Sequence, residues 1–207
     1  NASKSKQATS RQKQLEKLDI SDLPRSSRKN PYVGFELKRP LGRDVLTVEG
    51  ISKTIDGEKI LDNICFRVNE GDKIVFLGKN DLAKTTLLQI LNGDIQPDTG
   101  ACTWGITTTH VDLPMDNANF FEGDKISAVD WLRQFSEDKD EHFIRGFLGK
   151  MLFSGDEALK PVQVFSGGEK VRCMLSRMML SGSNVLLLDG PTNHLDLESI
   201  SAVNDGL

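Results

Sequence analysis

The pattern of apolar and polar positions divides the chain into three regimes. Over residues 1–18, NASKSKQATSRQKQLEKL, apolar side chains are almost absent until Leu15 and Leu18. Lys, Arg, Gln and Glu favour helix, so the pattern predicts a helix polar nearly all round, which bridges domains or leans on a partner. Ile20, Leu23 and Pro24 end it, and Ser26-Ser27-Arg28-Lys29-Asn30-Pro31 reads as an exposed connector. From about Leu46 short apolar runs take over. Leu46, Val48 and Ile51 predict one strand, residues 60–68 a second and 72–77 a third. Leu87, Leu88, Ile90 and Leu91 then turn one helix face inward. After a turn over 93–100, residues 102–104 and 106–109 predict edge strands. Over residues 117–161 the period is again helical. Val129, Trp131, Leu132 and Phe135 line one helix; Phe143, Ile144, Phe147, Leu148, Met151 and Leu152 line another.

The most informative stretch is VFSGGEKVRCMLSRMMLSGSNVLLLDGPTNHLD, residues 164–196. Ser166 and Glu169 have capping-box spacing at the start of a helix. Val171, Met174, Leu175, Met178 and Met179 give that helix a buried stripe. Val185-Leu186-Leu187-Leu188 suits a strand buried on both faces. Asp189 ends that run, where open α/β sheets bind their ligands. Ser166-Gly167-Gly168 at a helix start presents free N–H groups to an anion, with glycines allowing close approach. Taken alone, Ser166-Gly167-Gly168-Glu169 reads more readily as an ordinary capped helix after a flexible turn.

With their fixed offsets, these residues resemble the ABC ATPase family. F-S-G-G-E-K is similar to its signature motif, V-L-L-L-D to its Walker B strand and N-H-L-D to its D-loop. The form P-T-N-H-L-D behind S-G-G-E-K-V-R resembles the ABC-F branch, twin-cassette proteins most of which act on the ribosome. The resemblance covers nearly the whole chain. It implies an α/β P-loop cassette over 44–207, a mixed sheet with helices, carrying a helical signature subdomain at about 117–165. Residues 1–43 would be the end of a basic helical linker between two cassettes. That implied linker reaches toward ribosome-bound tRNA; a solvated linker without RNA contact is the alternative.

The resemblance also assigns a site for ATP and Mg²⁺. Phe76-Leu77-Gly78-Lys79-Asn80-Asp81-Leu82-Ala83-Lys84-Thr85-Thr86 stands at the Walker A position, after a predicted strand and before a helix. Gly78, Asn80, Lys84, Thr85 and Thr86 would hold the phosphates, with Thr85 and Asp189 on Mg²⁺. Ile55 stands where many cassettes stack an aromatic residue on adenine. Three departures follow. Asp81 and Ala83 replace glycines of the phosphate loop, and Asp81 brings a negative charge toward a polyanion. His110 stands, by position, where a glutamine would face Mg²⁺ and the attacking water, or else is a polar residue at a strand end. Gly190 replaces the glutamate that would polarise that water, and loss of a positioned base costs about 10²–10⁴-fold in rate. The signature residues Ser166, Gly167, Gly168 and Glu169 are intact. They would face the nucleotide of the other cassette.

Composition narrows the picture. Net charge is −4, yet residues 1–43 carry eleven Lys/Arg against four Asp/Glu, and the remainder fifteen against twenty-six. A basic arm on an acidic body points to the arm as the element that meets nucleic acid. There is no run of eighteen apolar residues, so no predicted membrane span, and no signal peptide. Cys65, Cys102 and Cys173 lie far apart without metal-ligand spacing and fit small core residues in a reducing cytosol. A chain that starts at Asn1 and ends at Leu207, shortly after a helix start, reads as a piece truncated from a longer protein. The expected function is therefore one ATP-binding cassette of an ABC-F-type ATPase, cytoplasmic, partnered by a first cassette. Its rivals are the ATP-binding subunit of a transporter and a degenerate nucleotide-binding scaffold.

Overall fold

The structure, a computed structural model, describes residues 30–123 and 125–207. The predicted helix over 1–18 and nearly all of the connector lie outside the described residues. Strand β1 (Asp44–Ile55) pairs antiparallel with β2 (Glu58–Asn69) on one side and β3 (Thr99–Trp104) on the other. Asp56 and Gly57 make the β1–β2 turn with φ of 50° and 82°, the conformation that a two-residue hairpin of this twist requires. A second sheet holds β4 (His110–Leu113) and β5 (Val185–Leu188) in parallel, with His110 opposite Val185 and Leu113 opposite Leu188. Helix α1 (Asp81–Asn92) joins the two sheets. Its Leu87, Ile90 and Leu91 share one core with Leu46, Val48, Ile51 and Leu61 from the antiparallel sheet and Leu187 from β5.

A larger core is built by α2 (Ala128–Phe135), α3 (Glu141–Lys150), α4 (Gly167–Ser181) and α5 (Leu197–Gly206). The stripe predicted for α4 is buried at all five positions, and Cys173 and Ser176 are buried beside it. Burial pushes the Cys173 thiol well above its ordinary range, because the thiolate would be desolvated. Gly182 ends α4 in the left-handed conformation, at φ 64°.

Six expectations need correction. Phe135, expected to line its helix inward, is exposed, and so is Cys65, expected in the core. Residues 72–77 form no strand. Val75 and Leu77 are 76% and 91% exposed, and Phe76 packs against the Phe66 ring at 5.5 Å. A strand needs a partner for its backbone groups, and among the described residues none pairs with this run. Residues 106–108 turn instead of pairing: Thr108 N–H donates to Gly105 O and Ile106 is fully outside, while Thr109 O meets the start of β5, accepting from Val185 N–H. Pro31, expected to be exposed, is buried. Phe143, expected inside, is exposed, while its neighbour Ile144 is fully buried.

Residues 32–39, on the linker side of the expected boundary, lie along the helical core. Tyr32 N–H donates to Lys150 O, Lys38 N–H donates to Gly182 O, and Lys38 pairs with Glu137 at 2.8 Å. Val33 is buried in that core.

Candidate functional site

The start of α1 and the end of β5 meet. Asn80 caps α1, its side-chain oxygen accepting from Ala83 N at 3.1 Å. This points the first turn of α1, with Lys84 and Thr85, at the carboxyl end of β5. Asp189 prolongs β5, its N–H donating to Leu113 O at 2.9 Å. Thr85 Oγ1 donates to Asp189 Oδ2 at 2.6 Å, across 104 positions of sequence. Behind them Thr86 is 1% exposed, and its Oγ1 has no partner among the described residues. Gly78 has open space where a Cβ would stand.

Lys84 is engaged. Its Nζ stands 2.8 Å from Asp81 Oδ1, one turn earlier on the same helix. The i,i+3 spacing of this pair is visible in the sequence.

His110 is not brought to this site. It opens β4, opposite Val185, so the whole strand separates it from Asp189. Its ring stacks on Trp104 at 4.6 Å and 13°. Residues past the other end of β4 stand near Asp189 instead. Pro114 and Met115 line a hollow of about 200 Å³ with Thr85, Gln89, Asp112 and Asp189. Ile55 is half-buried at the tip of the β1–β2 hairpin, opposite Glu58.

The signature residues form the expected capping box. Glu169 Oε2 accepts from Ser166 N and Ser166 Oγ, both at 2.7 Å, and Glu169 N–H donates to Ser166 Oγ at 3.4 Å. Burial works against the Glu169 carboxylate. The hydrogen bonds from Ser166 and the charges of Lys160 and Arg172 outweigh it and hold the carboxyl below its ordinary range. Gly167 and Gly168 also have a role that the sequence did not show. A Cβ on Gly167 would stand 3.0 Å from His194 Cγ, and one on Gly168 2.8 Å from His194 O. The signature loop thus packs directly on the loop that follows Asp189, in which His194 itself has φ 63°.

Arg177 and Asp112 were also missed. Arg177 Nη2 lies 3.8 Å from Asp112 Oδ1, and its guanidinium covers the Phe120 ring at 4.6 Å. Burial lowers the Arg177 pKa, and Asp112 opposes that shift.

Gly190 has φ 59°, and a Cβ there would meet Asn193 Nδ2 at 2.6 Å. Gly190→Ala is therefore expected to lower the unfolding free energy by about 1–2 kcal/mol. Urea denaturation checks this, and an unchanged midpoint would refute it. Gly190→Glu inherits the same strain, so a glutamate placed here does not simply regain its carboxylate.

The donor set suits a magnesium-bound nucleotide. Thr85 hydroxyl and Asp189 carboxylate are hard oxygens of the kind Mg²⁺ takes beside phosphate and water. The Thr86 hydroxyl, next along α1, is buried without a hydrogen-bond partner among the described residues. When bound, the metal would neutralise phosphate charge.

Comparison with known proteins agrees with this geometry. The profile of the ABC transporter family matches residues 61–193. The chain is 59% identical over its whole length to the Bacillus subtilis (strain 168) protein described as an uncharacterized ABC transporter ATP-binding protein, YkpA, and covers 38% of it. It is 40% identical, again over its whole length, to the probable ATP-binding protein YbiT of Escherichia coli O157:H7, covering 39% of it. It is 30% identical over 79% of its length to the ATP-binding protein Uup of Caulobacter vibrioides, covering 28% of that protein. Among solved structures, an ABC transporter ATP-binding protein from Pyrococcus furiosus superposes with a TM-score of 0.63 at 22% identity, covering 78% of this chain and 82% of the other. That likeness shows the fold. The chain belongs to the ABC family of ATP-binding cassettes. Within it, motifs and relatives are those of the ABC-F type. The chain spans well under half the length of these curated relatives. Among the described residues no helix is long and apolar enough to cross a membrane.

Proposed function

We propose that this cassette holds a magnesium-bound adenine nucleotide at Gly78, Asn80, Lys84, Thr85, Thr86 and Asp189. Through Ser166, Gly167, Gly168 and Glu169 it completes a second site on a partner cassette of the same full-length protein, and the pair works as an ATPase. The observation that carries this reading is the Thr85–Asp189 hydrogen bond beside the orphaned Thr86 hydroxyl. Ile55 gives adenine an apolar contact without stacking. Cleavage belongs to the partner's nucleotide, because Gly190 has no side chain with which to polarise water. Gly190 favours a nucleotide that is held here and not turned over, while Asp81 weighs on how tightly it is held. The basic balance of residues 1–43 supports contact with ribosome or tRNA, in the cytoplasm.

The test is photolabelling of the full-length protein with 8-azido-ATP, followed on peptides of this cassette. Asp189→Ala is expected to weaken magnesium-dependent labelling roughly ten- to a hundredfold. Labelling of this cassette that is indifferent to both Mg²⁺ and Asp189→Ala would sink the proposal.

A further inference from the structure

We infer that Asp81 is an internal competitor for the phosphate chain: by holding the Lys84 ammonium it sets the affinity, and the magnesium dependence, of nucleotide binding at this cassette. The inference rests on the nucleotide-binding reading above and deepens it.

The loop-helix arrangement assigns Lys84 to the β- and γ-phosphates. An ammonium is a compact charge with three donors. Asp81 Oδ1 is 2.8 Å from that charge, so an entering phosphate finds it already neutralised. The Asp81 side chain is 73% exposed and the Lys84 side chain 32%. Packing therefore does not fix the carboxylate, yet its backbone at the first position of α1 keeps it beside the loop. A nucleotide must either displace it from Lys84 or bind with a second negative charge nearby. Both courses oppose binding, and the second opposes it most when the ligand carries most charge. Chelation by Mg²⁺ lowers the charge that the nucleotide brings, so the penalty falls hardest on metal-free nucleotide.

Asp81 has a competing structural role. It is the acidic residue in the first turn of α1, where a carboxylate complements the helix dipole. The two roles predict opposite signs. If Asp81 only supports the helix, its removal weakens the loop and weakens binding. If it competes for Lys84, its removal strengthens binding.

The experiment uses the full-length protein, 8-azido-ATP photolabelling read on peptides of this cassette, and unlabelled ATP as competitor, with Mg²⁺ and in EDTA. Asp81→Asn is expected to lower the half-competing ATP concentration roughly three- to tenfold. The gain should be larger in EDTA than with Mg²⁺. Asp81→Gly, the second variant, should move affinity in the same direction, and Asp81→Glu, which keeps the charge, should stay near the parent. Thermal melting should not rise in Asp81→Asn, which separates freed binding from a firmer fold. Equal or weaker competition in both Asp81→Asn and Asp81→Gly overturns the inference and leaves nucleotide binding standing. So does Asp81→Glu binding as tightly as Asp81→Asn. Absence of competable labelling on this cassette in every protein overturns the nucleotide-binding reading and this inference with it.

Discussion

In the full-length protein, Ser166→Arg is expected to lower ATP turnover by roughly a hundredfold or more, while Lys84→Ala lowers it by less than about threefold. The expectation follows from how the cassette divides its parts between two sites. Ser166 stands at the N-terminus of α4, where free N–H groups and the helix dipole favour an anion. Its capping box is complete, with Ser166 N and Oγ both bonded to Glu169. An arginine there removes the cap and fills the approach to the loop. Lys84, in contrast, already faces Asp81, and the position after Asp189 is a glycine in a left-handed turn. Turnover that depends little on this cassette's own phosphate loop has little to lose with Lys84. Loss of the cap itself costs about 0.5–2 kcal/mol of stability, so Ser166→Thr serves as control: it keeps the capping oxygen and should retain most activity. Phosphate release under saturating Mg·ATP is the measurement. Equal damage from Ser166→Arg and Lys84→Ala would mean equivalent sites and would end the asymmetric reading.

What the sequence made legible was local. The capping box of α4, the strand Val185–Leu188 and the carboxylate behind it follow from spacing and polarity alone, and the structure keeps each. So does the buried stripe of α4, because helical period is read directly from apolar positions. What escaped was set by partners distant in sequence. Whether residues 72–77 pair depends on a neighbouring strand, not on their own apolar character. His110 stands at a strand end, one of its two readings, and only the parallel register with β5 tells that the other end of β4 lies near Asp189. The docking of residues 32–39 depends on Lys150 and Gly182, both more than 100 positions away. Gly167 and Gly168 were read as room for an anion. The contact with His194, which also demands small residues there, exists only once the loop after β5 has folded back onto α4. The Asp81–Lys84 pair was legible by spacing but says something about function only when both are seen at the mouth of the loop.

The second large effect is expected in the helical core, and it separates two neighbours that the sequence could not. Phe143 and Ile144 both belong to the apolar pattern of α3, and both were expected inside. Ile144 is 0% exposed and packs in the core shared by α2, α3 and α4, whereas Phe143 is 42% exposed, with the Phe147 ring 6.2 Å away. Helical geometry turns adjacent residues about a hundred degrees apart, so only one of them can face the centre of the bundle. Ile144→Ala removes buried methylene and methyl groups and leaves a cavity in a core where Leu132, Leu148 and Met174, all 0% exposed, are committed to their own contacts. The expected cost is about 3 kcal/mol, a large part of the 5–15 kcal/mol typical of a whole domain. At about 2–4 °C per kcal/mol for a domain of this size, the melting temperature should fall by roughly 6–12 °C. Phe143→Ala, though it deletes the larger side chain, should cost under about 1 kcal/mol, because most of what it removes already faces water. Thermal melting of the two variants side by side decides the matter. If Phe143→Ala proves as damaging as Ile144→Ala, then α3 is turned about its axis relative to this structure and the assignment of its buried face is wrong.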